Sequence, residues 1–453
     1  MKITHFSLFT LALSLIMMLG SCSSSDDDNN GNDGKEEHQQ TYRRSVVIYL
    51  AAQNSLGYTE PGYASASLLD SLEIIRGIAQ MSNTKDNIFL FIDDEQRPRL
   101  SRIYRYGGNG QTRTMVSLEK TWALDVNSAD PATLNEVLKY VDAKFPSESY
   151  GLVLWSHGSG WQLSTHVQNT LESSKSRPYS FGVDVGAAGN MEDDTDSRGR
   201  MGVQMDIADM ATAIAKSGVH LDFIFFDACE MQDIEVAYEL KDVTDYVIAS
   251  ATLTSAYGAE YTNFIPHALF AYPFNDANAI KMASQYYFDA VSNESLRDYY
   301  GDMGNVNSVI KTSELENLAA VTGLYINKVI TNRQSVDMEG VQHYGDNVHY
   351  YSPAHYDMGC VLGKLLSDAD YQAWRAEADK CIIAHNASSK YLLCHLGNER
   401  IFAEVEDPDH MVGVSMFVPN EMYDSETYIK YPFNTQFQTT AWYAAAQWSK
   451  TGW

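Results

Sequence analysis

Two short apolar segments, each followed by a reactive side chain, constrain the fold of this chain more than any other feature. Residues 151–155 read Gly-Leu-Val-Leu-Trp and precede His157, and residues 222–227 read Asp-Phe-Ile-Phe-Phe-Asp and precede Cys229. Compact runs of this kind are typical of strands buried on both faces of a parallel sheet. Functional groups gather beyond the carboxyl ends of such strands. The pattern therefore predicts that His157 and Cys229 meet at one edge of a sheet.

An imidazole beside a thiol is a chemically meaningful pair. A thiol is mostly protonated at pH 7, and a neighbouring imidazole can remove its proton and make it a nucleophile. The backbone N–H groups of Gly158 and Cys229 are the natural donors to an oxyanion, because the chain turns away from the strand at both points. The alternative is an inert buried cysteine near an unrelated histidine. The matched placement favours a cysteine hydrolase.

Alternation of strand-like and helix-like segments predicts an α/β architecture. The helix over 64–81 should bury Leu68, Leu69, Leu72, Ile75 and Ile78. The other predicted helices are 131–145, which Asp130 would cap, 205–216, 234–240, 276–291, 312–331 and 369–388; further strands are expected at 46–50, 87–92, 101–106, 246–250 and 412–418. Residues 162–204 are expected to form a long loop.

The two motifs also carry a family resemblance. Residues 155–161 and 226–231 resemble the His and Cys motifs of the clostripain family of cysteine peptidases, and the order, with His first, fits that family. Weaker similarities lie at 46–56, 258–261 and 413–419. The resemblance implies a caspase-like fold, with a mostly parallel central sheet, helices on both faces and a C-terminal α/β extension. It places the catalytic core at 43–300 and the extension at 301–453, and it implies that His157 and Cys229 act as a dyad.

The resemblance also implies a preference for basic side chains at the cleaved position. Asp227, two residues before Cys229, corresponds to the acid that binds Arg or Lys; the alternative is a carboxylate that caps a strand end or a helix. Glu260 stands in Gly-Ala-Glu-Tyr where the family has Gly-Trp-Asp-Tyr. An acid is kept there with one more methylene, so Asp227 and Glu260 are the expected substrate-binding residues.

Family members are often cut between the two motifs, and this chain offers Lys175, Arg177, Arg198 and Arg200 in a polar stretch. An uncut surface loop is the alternative. The acidic run at 192–196 does not match a calcium loop, because Arg198 and Met205 occupy ligand positions. We therefore expect no metal and no cofactor; calcium, which some relatives use, is the alternative, and no motif supports it.

The amino terminus predicts export. Residues 1–21 have the proportions of a signal peptide, and Leu-Gly-Ser-Cys22 resembles the lipobox of bacterial lipoproteins, in which the cysteine carries lipid. Residues 22–42 are too polar to bury a core and should form a disordered acidic tether. An acidic run after the lipidated cysteine resembles the signal of surface lipoproteins in Bacteroidetes-type bacteria. The expected location is the cell surface, on the outer membrane.

The net charge restricts the partners that the chain can bind. The chain has 32 basic and 59 acidic residues, a net charge of −27, which disfavours nucleic acid and leaves the lipid as its only membrane contact.

Three further cysteines remain, Cys360, Cys381 and Cys394. Because three is an odd number, a full disulfide framework is not implied, and pairing of Cys381 with Cys394 stays open. His343, His349 and His355 are six residues apart and share no helical face, so a metal site there is not expected.

The sequence thus favours a surface-anchored cysteine endopeptidase that cuts proteins or peptides after Arg or Lys. A catalytically idle lipoprotein that binds peptides or glycans on the same scaffold is the alternative.

Overall fold

The computed structural model describes residues 41–108, 111–161, 181–199, 202–256, 258–270, 277–291, 303–347, 352–396, 399–425 and 433–453. The signal peptide, nearly all of the tether, Cys22, Lys175, Arg177 and Arg200 lie outside these ranges. Within them, strands and helices alternate along the chain as the sequence predicts.

The strands are β1 (Arg44–Ala51), β2 (Asp86–Asp93), β3 (Arg99–Gly108), β4 (Gln111–Thr121), β5 (Tyr150–Trp155), β6 (Phe181–Asp184), β7 (Val203–Met205), β8 (Leu221–Asp227), β9 (Thr244–Ser250), β10 (Val306–Lys311), β11 (Asp346–Asn347), β12 (Ser352–Pro353), β13 (Tyr356–Asp357), β14 (Ile382–Ala387), β15 (Lys390–Leu396), β16 (Glu399–Glu404) and β17 (Ser415–Met416). The helices are α1 (Ala66–Ala79), α2 (Pro131–Lys144), α3 (Ile207–Ser217), α4 (Ile234–Leu240), α5 (Tyr261–Phe264), α6 (Ala277–Val291), α7 (Leu315–Val329), α8 (Met358–Leu365), α9 (Asp368–Cys381), α10 (Phe433–Phe437) and α11 (Ala441–Ala445).

Nine strands form one central sheet in the order β14-β10-β9-β8-β5-β1-β2-β3-β4. The five strands from β9 to β2 are parallel, and two antiparallel strands extend the sheet at each edge. The expected sheet, mostly parallel at its centre, is confirmed.

Burial on both faces explains the continuous apolar strands. In β1, Val47 and Tyr49 pack into one core, with α2, α3 and α4, whereas Val46 and Ile48 pack into the other, with α1 and α6. Successive side chains of a strand point to opposite faces, so a strand covered by helices on both sides has no polar face.

Elements at the edges of the sheet differ from the sequence prediction. The predicted helix at 369–388 is wrong in its second half, because α9 ends at Cys381 and β14 follows, paired with β10. The β3–β4 hairpin exceeds the single short strand expected at 101–106, and β6 and β7 lie within the expected loop. These strands depend on partners distant in sequence, which local periodicity does not reveal.

The buried face of α1 also differs from the prediction. Of the five apolar residues expected there, only Ile78 is fully buried, and the other buried positions are Ser67, Asp70, Ile74 and Gly77. A Cβ on Gly77 would lie 2.4 Å from the carbonyl oxygen of Tyr261, so α1 approaches α5 closely through small residues. This close packing turns Asp70 toward the interior.

The segment after residue 300 is continuous with the core, since β10 and β14 belong to the central sheet. The domain boundary expected at residue 300 stays a prediction. Among the residues that the structure describes, no helix has both the length and the apolarity needed to cross a membrane.

Candidate active site

The two segments that the sequence singled out are neighbours. β5 and β8 pair in parallel, with Trp155 opposite Asp227, so His157 and Cys229 each lie two residues beyond a matched pair. The loops touch: a Cβ on Gly158 would lie 2.5 Å from the carbonyl oxygen of Cys229. Only glycine allows this approach. The expectation that the two strands adjoin is confirmed.

The thiol of Cys229 sits against Thr254, in the loop after β9. Its Sγ accepts a hydrogen bond from the Thr254 backbone N–H at 3.3 Å and lies 3.5 Å from the Thr254 hydroxyl. Burial raises the pKa of this thiol, the contacts with Thr254 oppose the rise, and the charge of Glu230 adds to it. The resting sulfur is therefore a thiol that needs a base. Glu230 itself has a positive φ of 56°, a conformation that sharply redirects the chain after Cys229.

The imidazole of His157 is held on one side by two polar groups. Its Nε2 lies 3.0 Å from the Ser55 hydroxyl and 3.4 Å from Oδ2 of Asp194. Burial lowers the pKa of His157, and the carboxylate of Asp194 acts in the opposite direction. A neutral imidazole can accept a proton, which is the state that a general base requires.

Asp233 connects both loops to the C-terminal part of the chain. Its Oδ2 accepts from the Trp161 backbone N–H at 2.9 Å, and its Oδ1 contacts the Ser415 hydroxyl and, at 2.9 Å, Nδ1 of His355. Although burial alone would lower it, the charges of Asp233 and Glu230 raise the pKa of His355 to about 9. His355 is thus a buried imidazolium.

Sequence reasoning missed this group. In the sequence, His355 stands out only through its spacing from His343 and His349, which predicts no metal site. Asp233 lies 122 positions away, so no local pattern links the two residues.

Asp227 ends β8 with one carboxylate oxygen satisfied and the other without a partner. Its Oδ2 accepts from the Ala259 backbone N–H at 3.0 Å and from the Tyr261 hydroxyl at 2.8 Å, whereas its Oδ1 is buried and has no hydrogen-bond partner among the residues that the structure describes. Burial raises the pKa of Asp227 to about 6, against the effect of these two bonds. A Cβ on Gly258 would lie 2.4 Å from the carboxylate, so only glycine leaves this space open.

A second buried acid faces Asp227 from α1. Asp70 is 2% exposed, and within the described part of the chain its Oδ2 has no hydrogen-bond partner. Burial raises the pKa of Asp70 well above its ordinary value, and the charge of Asp227 contributes. Sequence reasoning did not find Asp70, because it expected a different face of α1 to be buried.

Glu260 stands at the N-terminus of α5. Its Oε2 accepts from the Asn263 backbone N–H at 3.1 Å and from the Asn263 side chain at 2.7 Å, so it caps α5. The nearby Glu73 accepts from the Tyr261 backbone N–H at 3.1 Å, and burial, with the charge of Glu260, raises its pKa to about 7. The hydrogen bonds of Glu260 to Asn263 thus hold the first turn of α5, and its role in substrate binding stays a prediction.

Of the four expected processing residues, Arg198 lies within the described residues, and its side chain is 69% exposed. No disulfide joins Cys381 to Cys394, so that pairing is not made. Throughout the described ranges, no three His, Cys, Asp or Glu side chains are grouped so that they could hold a metal ion.

Comparisons with known proteins identify the family and the fold. The model of the clostripain family matches residues 48–180 and 193–453. A secreted C11 cysteine protease from Bacteroides thetaiotaomicron, solved with an irreversible peptide inhibitor, is 23% identical, with a TM-score of 0.68 over 90% of this chain and 99% of that chain. An inactive zymogen of a C11 protease from Parabacteroides distasonis is 25% identical, with a TM-score of 0.65 and the same coverage. No curated protein matches the chain significantly.

The family match and the mixed, mostly parallel sheet together define a cysteine endopeptidase of caspase-like fold. The chain belongs to the clostripain family.

Proposed function

We propose that the chain hydrolyses peptide bonds after Arg or Lys, with Cys229 as nucleophile and His157 as base. The observation that carries this proposal is the matched position of the two residues, each two places beyond the Trp155–Asp227 pair. The buried, unpartnered oxygen of Asp227 supports the specificity, since an unsatisfied carboxylate favours a cationic partner.

The reaction follows from these roles. His157 takes the proton of Cys229, whose sulfur forms a bond to the carbonyl carbon of the substrate. The carbonyl oxygen becomes an oxyanion that the backbone N–H groups of Gly158 and Cys229 stabilise. His157 then gives its proton to the leaving amine as the peptide bond breaks. Water hydrolyses the thioester, releases the acid product and restores the thiol.

Asp227 recognises the basic side chain, and Asp70 adds a second carboxyl group beside it. A guanidinium can donate two parallel hydrogen bonds to a carboxylate, so Arg is preferred to Lys. Glu260 contributes less, because its oxygen already caps α5.

The same proposal covers processing and location. Cleavage after Lys175, Arg177, Arg198 or Arg200 would divide the chain between His157 and Cys229, and the exposure of Arg198 supports access. Lipid on Cys22 would hold the enzyme on the outer membrane, facing outward. Replacing Cys22 with Ser should release the protein or block removal of the signal, and a mature, lipid-free start beyond residue 22 would contradict the anchor.

The test of the chemistry is replacement of the two reacting residues. Cys229→Ala and His157→Ala should abolish hydrolysis of Arg-containing peptides while the far-UV circular dichroism stays unchanged. Cys381→Ala, which removes another buried free thiol, is the matched control and should keep full activity. Residual activity of Cys229→Ala beyond a trace would refute the nucleophile, and an inactive wild type that still binds peptides would favour the idle binder.

A further inference from the structure

Ser55 and Asp194 form a hydrogen-bonded unit on one nitrogen of His157. The Ser55 hydroxyl lies 3.0 Å from Nε2 of His157 and 3.0 Å from Oδ2 of Asp194, so it bridges the imidazole and the carboxylate. Oδ2 of Asp194 itself lies 3.4 Å from the same nitrogen. Ser55 follows β1 and Asp194 lies between β6 and β7, so two separate parts of the chain converge on the base.

The carboxylate is fixed in this position by the backbone. Oδ1 of Asp194 accepts from the Ser55 backbone N–H at 2.6 Å, which gives the two residues a second contact. Asp194 adopts a positive φ of 55°, and its carbonyl oxygen accepts from the Gly202 N–H at 2.9 Å. A non-glycine residue keeps a left-handed backbone conformation where the surrounding structure holds it there.

The donors and acceptors determine where the proton of the neutral imidazole lies. An ionised carboxylate only accepts, so the Ser55 hydroxyl donates to Asp194 and presents a lone pair to Nε2. Nε2 then carries the hydrogen, and Nδ1 is left without one. A general base needs one free nitrogen, and a hydrogen bond at the other nitrogen decides which one is free.

We propose that Ser55 and Asp194 are positioning residues that hold His157 with its proton on Nε2, so that Nδ1 is free to take the proton of Cys229. Ser55 and Asp194 thereby add two positioning residues to the two reacting residues, Cys229 and His157. The inference rests on the proposed function, because it gives His157 the role of base.

The position of Asp194 relates this unit to processing. A cut after Arg198 or Arg200 leaves Asp194 on the same fragment as His157, whereas a cut after Lys175 or Arg177 transfers it to the fragment of Cys229. In the second case the contacts between β6 and the His157 loop, such as the hydrogen bond from the Gly182 N–H to the carbonyl oxygen of His157 at 2.9 Å, must persist for the unit to stay together.

Kinetics of four variants test the proposal. In Asp194→Asn the amide can still accept from the Ser55 N–H, but its NH₂ group then faces the hydroxyl, which turns to donate to Nε2 and favours the wrong tautomer. Asp194→Asn and Ser55→Ala should lower kcat by about tenfold or more, as loss of the orienting acid does in other hydrolases. KM should change by less than about twofold. Ser55→Thr, which keeps the hydroxyl, should restore most of kcat, and Asp193→Asn, on the exposed side of the same loop, should match the wild type.

A second readout does not depend on activity. In Cys229→Ala protein with ¹⁵N-labelled histidine, the neutral imidazole of His157, assigned with His157→Ala, should carry its proton on Nε2. Adding Asp194→Asn should move the proton toward Nδ1. An unchanged or higher kcat in Asp194→Asn, at the same extent of chain cleavage on a denaturing gel, would overturn the proposal. A Nδ1-protonated ring in the Asp194-containing protein would do so even if the wild type proved inactive.

Discussion

Nδ1 of His355 lies 2.9 Å from Oδ1 of Asp233, and both side chains are buried. The same carboxylate accepts from the Trp161 backbone, in the loop after His157, and stands four residues after Cys229. His355, from the C-terminal part of the chain, thus forms a buried ion pair with Asp233, which belongs to one reactive loop and contacts the other.

This pair predicts a pH-dependent contribution to stability. Folding raises the pKa of His355 from 6.5 to about 9, so its stabilisation is complete below 6.5 and is lost as the pH rises through 9. His355→Ala leaves Asp233 buried without its cation and should lower the free energy of unfolding at pH 6 by about 3–5 kcal/mol. Urea unfolding at pH 6 and at pH 10 measures the effect, which should be much smaller at the higher pH.

The control is another histidine–carboxylate pair at the surface. Nε2 of His220 lies 2.8 Å from Oδ1 of Asp245, but both side chains are more than 45% exposed. His220→Ala should change the free energy of unfolding by less than about 1 kcal/mol. Equal effects of the two substitutions, or an effect of His355→Ala that is the same at both pH values, would contradict a buried imidazolium.

Specificity should depend on Asp227 and on its ionisation. Asp227→Asn should lower kcat/KM for Arg substrates far more than for neutral ones, because an unpaired buried carboxylate in the wild type rejects neutral side chains by about tenfold or more. With its pKa raised to about 6, Asp227 loses charge below that pH, so the Arg-to-neutral ratio of kcat/KM should fall there. Rates for matched Arg, Lys and norleucine peptides between pH 5 and pH 8 measure it.

Two neighbouring acids serve as comparisons for Asp227. Asp70→Asn should reduce the Arg preference by less than Asp227→Asn does, and Glu260→Gln by less still, because Glu260 caps α5. A substrate-library profile without enrichment of Arg or Lys before the cut would overturn the pocket assignment and leave the Cys229–His157 chemistry untouched.

Self-cleavage should depend on Cys229. After incubation, the wild type should run as two fragments on a denaturing gel and as one species in gel filtration, whereas Cys229→Ala should stay whole. Arg198→Ala should slow the appearance of fragments if Arg198 is the site used. Wild type that stays intact after prolonged incubation would leave this stretch an uncut surface loop.

The central sheet was predictable because its evidence is local. The continuous apolar runs of β5 and β8 show burial on both faces, and Asp130 before Pro131 correctly marked the start of α2, where its carboxylate accepts from the Ala132 N–H at 2.8 Å. The positions of His157 and Cys229 at one edge of the sheet were predictable for the same reason, since both residues stand directly beyond those strands.

Other parts of the site depend on distant contacts. Asp233 meets His355 and Ser415 across 122 and 182 positions, and Asp194 meets Ser55 across 139. Asp70 was missed because the buried face of α1 contains Ser67, Asp70 and Gly77 beside two isoleucines, whereas an ordinary amphipathic pattern places its apolar residues there. Such pairs follow from the packing of whole elements, and neither spacing nor periodicity reveals them.

Labelling of Cys229 by a peptidyl electrophile with a terminal arginine tests the central claim most directly. At pH 7.5 with reductant, one equivalent of the probe should attach to the folded protein, and peptide mapping should place it on Cys229. The other described thiols should stay unlabelled, because they are buried. Labelling should be slowed strongly in His157→Ala and should be absent in Cys229→Ala. A folded wild type whose Cys229 does not react, or reacts no faster than Cys360, Cys381 and Cys394 do after denaturation, would contradict an activated nucleophile and with it the proposed peptidase chemistry.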